Sequence, residues 1–326
     1  MRPLAVALIS LALTLTGCGQ NAFMSGPSVS SAPQVAAGWT LSRVTPDGVR
    51  AVEPSLLERQ AGGFAIAYST STLGNQHVFV TTSSDGSHWG TPVSVAPGPL
   101  TDESPALYED AAGTLHCLFA SNRSQRYRLY ESTSQDGASW SEAAALPEDP
   151  DQSYRPSVAT LTNGTLALVY ETIGGALRFR TRSAQGTWSE ASTIHAGGGD
   201  PALAALSDGR LMLAYRSYGK LQTRSRSASG TWSEASDLGL QGEAPSLSPD
   251  GQGGLWLVFA AEAGDTMKLT ERRGDGKTWA AGAELTSGDT EDQDPAALVT
   301  RSGERVMTWG AVKDGRNQGL FFARRS

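Results

Sequence analysis

The sequence predicts an all-β fold, a six-bladed β-propeller whose blades are four-stranded and antiparallel, and three observations predict it. Prolines recur at Pro54, Pro105, Pro156, Pro201, Pro245 and Pro295, in steps of 51, 51, 45, 44 and 50 residues, the signature of a repeated supersecondary unit. A glycine-containing turn ending in tryptophan recurs with them, at Trp89, Trp140, Trp188, Trp232 and Trp279. Between the two lie short runs of alternating apolar residues, with no helical periodicity after the first few dozen residues.

The N-terminus reads as a targeting segment. Arg2 supplies a positive charge, Leu4 to Leu15 an apolar stretch too short to span a bilayer comfortably, and Leu15-Thr16-Gly17-Cys18 follows. That run resembles the lipobox of bacterial lipoproteins. The resemblance implies a signal peptide over residues 1–17 and lipidation of Cys18, which would hold the protein at a membrane of the cell envelope, facing out of the cytoplasm. Residues 18–37 are small, polar and turn-forming, and are expected to be a flexible tether. Residues 38–326 are expected to form one propeller domain.

Within each repeat the proline is expected to open the first strand, as in Ser104-Pro105-Ala106-Leu107 and Asp200-Pro201-Ala202-Leu203. An alternating apolar second strand follows: Phe64-Ala65-Ile66-Ala67-Tyr68, Leu166-Ala167-Leu168-Val169-Tyr170, Leu211-Met212-Leu213-Ala214-Tyr215 and Leu255-Trp256-Leu257-Val258-Phe259. The third strand runs into the tryptophan turn, and the fourth is expected to begin at the tryptophan. Turn tryptophan and next proline are 16, 16, 13, 13 and 16 residues apart, and Trp39 precedes Pro54 by 15. Trp39 therefore behaves as an outer-strand tryptophan with no blade before it, while the repeat opened by Pro295 ends before a tryptophan turn of its own. The strand beginning at Trp39 is expected to complete that last blade, a closure that removes exposed sheet edges.

Composition narrows the partners. Without Arg2 the chain carries 25 basic and 33 acidic side chains, a net charge of −8, and no basic cluster, so nucleic acid is not an expected partner. A monomer is expected. After Cys18 the only other cysteine is Cys117, in an alternating apolar run, and it is read as a small buried residue. His77, His88, His116 and His195 show no ligand spacing, so no transition-metal site is expected.

The turns Ser83-Ser84-Asp85-Gly86-Ser87-His88-Trp89 and Ser134-Gln135-Asp136-Gly137-Ala138-Ser139-Trp140, with a looser copy at Gly274-Asp275-Gly276-Lys277-Thr278-Trp279, resemble the Asp-box of sialidases and related bacterial proteins, one residue shorter. The resemblance covers nearly all of residues 39–326. Asp85, Asp136 and Asp275 are expected to be structural, each accepting the N–H groups of its own turn while the glycine takes positive φ and the tryptophan packs between blades. Tyr154-Arg155-Pro156 resembles the family's aromatic-Arg-Ile-Pro segment with the isoleucine deleted, which implies that Arg155 holds a substrate carboxylate. Arg123 and Arg216 follow second strands on the same face and are candidates to join it, with Tyr154 beside them. The family's tyrosine nucleophile and acid/base aspartate have no demonstrable counterparts: Tyr215 is a candidate nucleophile, and Thr172-Ile173-Gly174-Gly175 lacks an aspartate.

Just before the prolines stand Glu53, Glu103, Asp200, Glu243 and Asp294, expected to converge with Arg155 at the mouth of the central channel. Convergent carboxylates can run glycoside hydrolysis, hold calcium or accept hydrogen bonds from sugar hydroxyls, and they repel a free anion. Glu103, Asp200, Glu243 and Asp294 are the catalytic candidates, and Glu53 a binding one. The chain is thus expected to be an exported, lipid-anchored propeller that recognises an extracellular glycan or protein. The alternative is an exo-acting, sialidase-type glycoside hydrolase. No cofactor is expected, with calcium the one ion the carboxylates would suit.

Overall fold

The computed structural model describes residues 32–72 and 74–325, so Cys18 and the signal segment lie outside the described residues. Among the described residues, six four-stranded antiparallel sheets follow one another around a central channel. The blade 1 strands are Ala51–Glu58, Phe64–Thr72, Asn75–Ser83 and Val93–Ser94. Blades 2 to 5 repeat this plan, with first strands Asp102–Glu109, Ser153–Thr160, Gly199–Ala205 and Glu243–Pro249. Blade 6 combines Glu291–Val299, Arg305–Lys313 and Arg316–Arg325 with Thr40–Arg43, which pairs with the last of these from Thr40↔Arg324 to Arg43↔Phe321. The N-terminal strand thus closes the ring, as its stranded tryptophan predicts.

Each second strand is central in its sheet and covered by a blade on either side, which is why it reads as a continuous apolar run. Leu115–Ser121 is buried throughout. Six apolar clusters, one per blade interface, form the core. The cluster between blades 1 and 2 contains Ala67, Val80, Leu115, Cys117 and Phe119, and burial pushes the Cys117 thiol pKa up. The turn tryptophans pack backwards: Trp89 of blade 1 meets Phe322 of blade 6 at 5.3 Å, Trp232 of blade 4 meets Phe179 of blade 3 at 5.4 Å, and Trp39 of blade 6 stacks on Trp256 of blade 5 at 6.1 Å. Burying side chains of this size is worth about 1.5–3 kcal/mol each.

Three boundaries differ from the sequence expectation. The prolines do not open the first strands but sit inside them, at a register shift in every blade, such as Val52/Ser55 and Glu103/Ala106. A proline lacks a ladder donor, and a bulge is the place where that loss is tolerated. The fourth strands do not begin at the tryptophans either: Val93–Ser94, Ala144–Ala145 and Ser192–His195 start four residues later. Inserting the indole between blades interrupts the ladder: in blade 1 Gly90 N–H bonds back to Thr82 O at 2.9 Å, and in blades 3, 4 and 5 the tryptophan makes a single isolated bridge, as Trp188 does with Arg182. Finally, the folded body begins before residue 38. Gln34–Val35, counted with the tether, pairs with Thr286–Ser287, and Val35 and Ala36 pack against the core between blades 5 and 6.

A second pattern runs along the seams. The residue after the strand proline is serine in blades 1, 3 and 5 (Ser55, Ser157, Ser246) and alanine in blades 2, 4 and 6 (Ala106, Ala202, Ala296). Ser55 Oγ accepts the N–H of Leu107 at 2.9 Å, Ser157 that of Leu203 at 2.9 Å and Ser246 that of Ala297 at 2.8 Å. Each serine therefore ties its blade to the next, across seams 1–2, 3–4 and 5–6.

Candidate functional site

The bulge at each proline arranges the mouth of the channel. The residue before the proline adopts positive φ in all six blades: Glu53 at 51°, Ser104 at 54°, Arg155 at 43°, Asp200 at 52°, Ala244 at 47° and Asp294 at 49°. Non-glycine residues are held there only when their surroundings over-determine them, at roughly 1–3 kcal/mol each. These six residues and their prolines line an axial cavity of about 120 Å³. The residue one step earlier lies to the side: Val52, Glu103, Tyr154 and Gln293 line an adjoining basin of about 520 Å³. The basin spans blades 1, 2, 3 and 6, and its wall is completed by Arg50, Gln76, Glu171, Thr172 and Ile173, with Glu53, Ser104, Arg155 and Asp294 shared with the axial cavity.

Arg155 is the hub. Its Nη1 lies 3.0 Å from Asp200 Oδ1 and 3.5 Å from Glu171 Oε2, and its Nε 3.4 Å from Glu53 Oε1. One guanidinium from blade 3 therefore reaches carboxylates of blades 1, 3 and 4. The acids are tied further around the ring. Asp294 Oδ2 accepts the Glu53 N–H at 3.2 Å, Glu53 Oε2 accepts the Ser104 N–H at 3.1 Å and its hydroxyl at 3.0 Å, and Glu171 Oε2 accepts the Asp200 N–H at 3.3 Å. The electrostatics stay unbalanced. Burial, then the charge of Glu53, pushes the Glu103 pKa up to about 7 against the pull of Arg155. Burial also pushes the Asp294 pKa up to about 6; the hydrogen bond from Glu53 N–H opposes this and the Glu53 charge adds to it.

The predicted residues divide. Glu53, Glu103, Tyr154, Arg155 and Asp294 share the basin wall. Tyr154 packs against Tyr127, with ring centroids 4.7 Å apart and ring planes tilted by 38°. Asp200 lines only the axial cavity, where it bridges Arg155 and Arg216 Nε at 2.9 Å. Arg216 does not reach the basin wall. Arg123 does not join Arg155 at all: its Nη2 pairs with buried Asp102 at 2.8 Å and its guanidinium lies 5.0 Å from the Tyr130 ring centroid, so it neutralises an acid inside blade 2. Glu243 lines neither cavity, because Ala244 occupies its blade's mouth position, and it only approaches Arg216 at 4.0 Å. Tyr215 is wholly buried in the core between blades 3 and 4 and donates its hydroxyl to Gln222 Oε1 at 2.9 Å, which removes it as an accessible nucleophile. Among the described residues, no group of three or more His, Cys, Asp or Glu is disposed to hold a metal ion.

The opposite face carries the tryptophan turns. Asp85 Oδ1 accepts the N–H of Ser87 and His88 at 2.7 and 2.9 Å, Asp136 Oδ1 those of Ala138 and Ser139 at 2.8 and 2.9 Å, and Asp275 Oδ1 those of Lys277 and Thr278 at 2.8 and 2.7 Å. These carboxylates are consumed by their own turns. A model of the BNR repeat-like domain matches residues 62–307. The chain belongs to that family. A crystal structure of a protein of unknown function from Dyadobacter fermentans superposes with a TM-score of 0.74 at 14% identity, covering 89% of this chain and 99% of that one. The intramolecular trans-sialidase from Ruminococcus gnavus gives 0.68 at 12% identity, over 85% and 94%. An α-L-arabinofuranosidase from Fusarium graminearum gives 0.63 at 14% identity, over 87% and 97%. At such identities the likeness is one of fold. No match was found among curated protein sequences.

Sequence reasoning missed Arg50, Gln76, Glu171, Ile173 and Gln293 as lining residues of this BNR repeat-like propeller. Glu171 was within reach. Aligning the repeats on the aromatic residue of the second strand puts Ser69, Ala120, Glu171, Arg216, Ala260 and Gly310 at one position, and only blades 3 and 4 carry charge there.

Proposed function

We propose that this is an exported, lipid-anchored BNR propeller that recognises glycan in the basin of its mouth face, without sialidase turnover. The state of Arg155 carries the reading. In a sialidase-type site this guanidinium would be open to a substrate carboxylate, whereas here Glu53, Glu171 and Asp200 already engage it, and neither Arg123 nor Arg216 stands with it in the basin. A sialate carboxylate would have to displace protein carboxylates and then sit among them. Sugar as the ligand class is supported by the wall chemistry, where Tyr154, backed by Tyr127, offers an apolar ring and the acids offer acceptors for hydroxyl groups. It is supported also by the neighbours, since proteins described as a trans-sialidase and an arabinofuranosidase both use this fold.

A glycan array probed with the mature protein, run beside a panel of fluorogenic glycosides, tests the proposal. Binding to at least one glycan without sialoside cleavage is expected, and sialoside turnover would overturn it. The second reading is glycoside hydrolysis of a neutral sugar. Glu103 favours it: a carboxyl whose pKa is pushed up to about 7 beside another carboxylate suits a general acid. Turnover of a neutral glycoside that disappears in Glu103→Gln would establish that reading. The anchor has its own test, because palmitate labelling of the wild-type chain should be lost in Cys18→Ser.

A further inference from the structure

The basin is rich in acceptors and short of donors. Four carboxylates, those of Glu53, Glu103, Glu171 and Asp294, face two guanidinium groups, those of Arg50 and Arg155. The imbalance is larger than that ratio, because Arg155 is also claimed from outside the basin by Asp200 at 3.0 Å. The amide oxygen of Gln76, another lining residue, is buried without a hydrogen-bond partner among the described residues. An acceptor shielded from solvent and left without a donor is costly, and it adds to the local excess of acceptors.

We infer that the basin takes a sugar bearing a free amino group, held as the ammonium by Glu103 and its neighbouring carboxylates with its ring against Tyr154. This deepens the glycan reading above and rests on it. An ammonium supplies three donors and the missing positive charge in one group, whereas a neutral sugar supplies donors alone and an acidic sugar adds to the excess. The upward push on Glu103 and Asp294 is consistent with the same deficit, since a nearby cation would return both carboxyls to their ionised form. The basin spans blades 1, 2, 3 and 6 with a volume of about 520 Å³, which suits it to a terminal or short residue.

Calorimetry with the mature protein at about pH 6.5, below the range of an ordinary amine, tests the inference with three probes: a glucosamine trimer, its fully N-acetylated twin and sialyllactose. The glucosamine trimer is expected to bind at least about tenfold more tightly than either of the others, the low end for a close charge pair. Glu103→Gln should reduce that preference, and Glu171→Gln, at a second position on the wall, should reduce it as well, with the far-UV spectrum of each variant unchanged. Equal affinity for the acetylated twin, or tighter binding of sialyllactose, would overturn the amino-sugar inference and leave glycan recognition standing. Silence from all three probes with binding of some neutral glycan on the array would do the same. No binding to any glycan would remove the glycan reading itself, and this inference with it.

Discussion

The two faces of the propeller use the same side chain to opposite ends. On the tryptophan-turn face, Asp85, Asp136 and Asp275 each accept two N–H groups from residues two and three positions on; the His88 side chain and then these N–H groups at Asp85, and the N–H groups at Asp136 and Asp275, hold their pKa values below the usual carboxylate range. On the mouth face, Glu53 and Asp294 are bonded across blades, with partners 51 to 241 residues away in the chain, and Asp294 and neighbouring Glu103 are pushed upward by burial. A carboxylate satisfied within its own turn has nothing left for a ligand. One held across seams in a charge-rich cavity does, and this difference separates architecture from site more sharply than residue type.

Arg155→Ala should test the contrast most severely. It leaves Glu53, Glu171 and Asp200 facing one another, and since the arginine side chain is 43% exposed the loss should fall between that of a surface and a buried pair, about 2 kcal/mol by urea unfolding. A loss no larger than that for Asp136→Ala would abolish the distinction between the faces. The pH response sharpens it next. Glu103 and Asp294 have raised folded-state pKa values, so the stability they contribute is complete below the unfolded-state pKa of about 4 and is lost as pH rises through about 6 to 7. The turn aspartates have lowered values, so theirs is present above about pH 4 and is lost only on further acidification. Glu103→Gln should therefore raise stability at neutral pH by about 1 kcal/mol after solvent screening, and flatten the decline between pH 5 and 8 seen by thermal melting. Ser157→Ala deprives the Leu203 N–H of its acceptor and should cost about 1 kcal/mol, measured as a shift in urea midpoint with an unchanged slope. Asp136→Ala should have the smallest effect, a modest drop in melting temperature with glycan binding intact, and altered binding there would show that the two faces communicate.

What was legible in the chain follows from the same contrast. Blade number, the closing role of Trp39 and the task of the turn aspartates all depend on contacts within a few residues or on a period, so they can be read from spacing. The site depends on which side of a bulge a residue falls. Glu103 and Glu243 occupy the same place before their prolines, yet only Glu103 lines the basin, whose wall is drawn from blades 1, 2, 3 and 6. Tyr215 shows the limit from the other side. Its strand is a continuous apolar run, buried on both faces by the blades on either side, so a tyrosine there is core rather than a group open to substrate.

The alternation of Pro-Ser and Pro-Ala gives the ring a lower symmetry than its blade count suggests. Counted by its serine ties it is a triangle whose sides are blade pairs, 1–2, 3–4 and 5–6, and its corners are the seams that lack such a tie. Arg155 spans one of those corners by reaching Glu53 from blade 3, and the Asp294 bond to Glu53 spans another, between blades 6 and 1. The corner between blades 4 and 5 has no serine tie, and beside its apolar cluster it carries the 4.0 Å approach of Arg216 to Glu243. A circularly permuted chain with its new ends in the loop between Gln241 and Glu243 would therefore open the ring at a corner, and each of its three sides would remain whole.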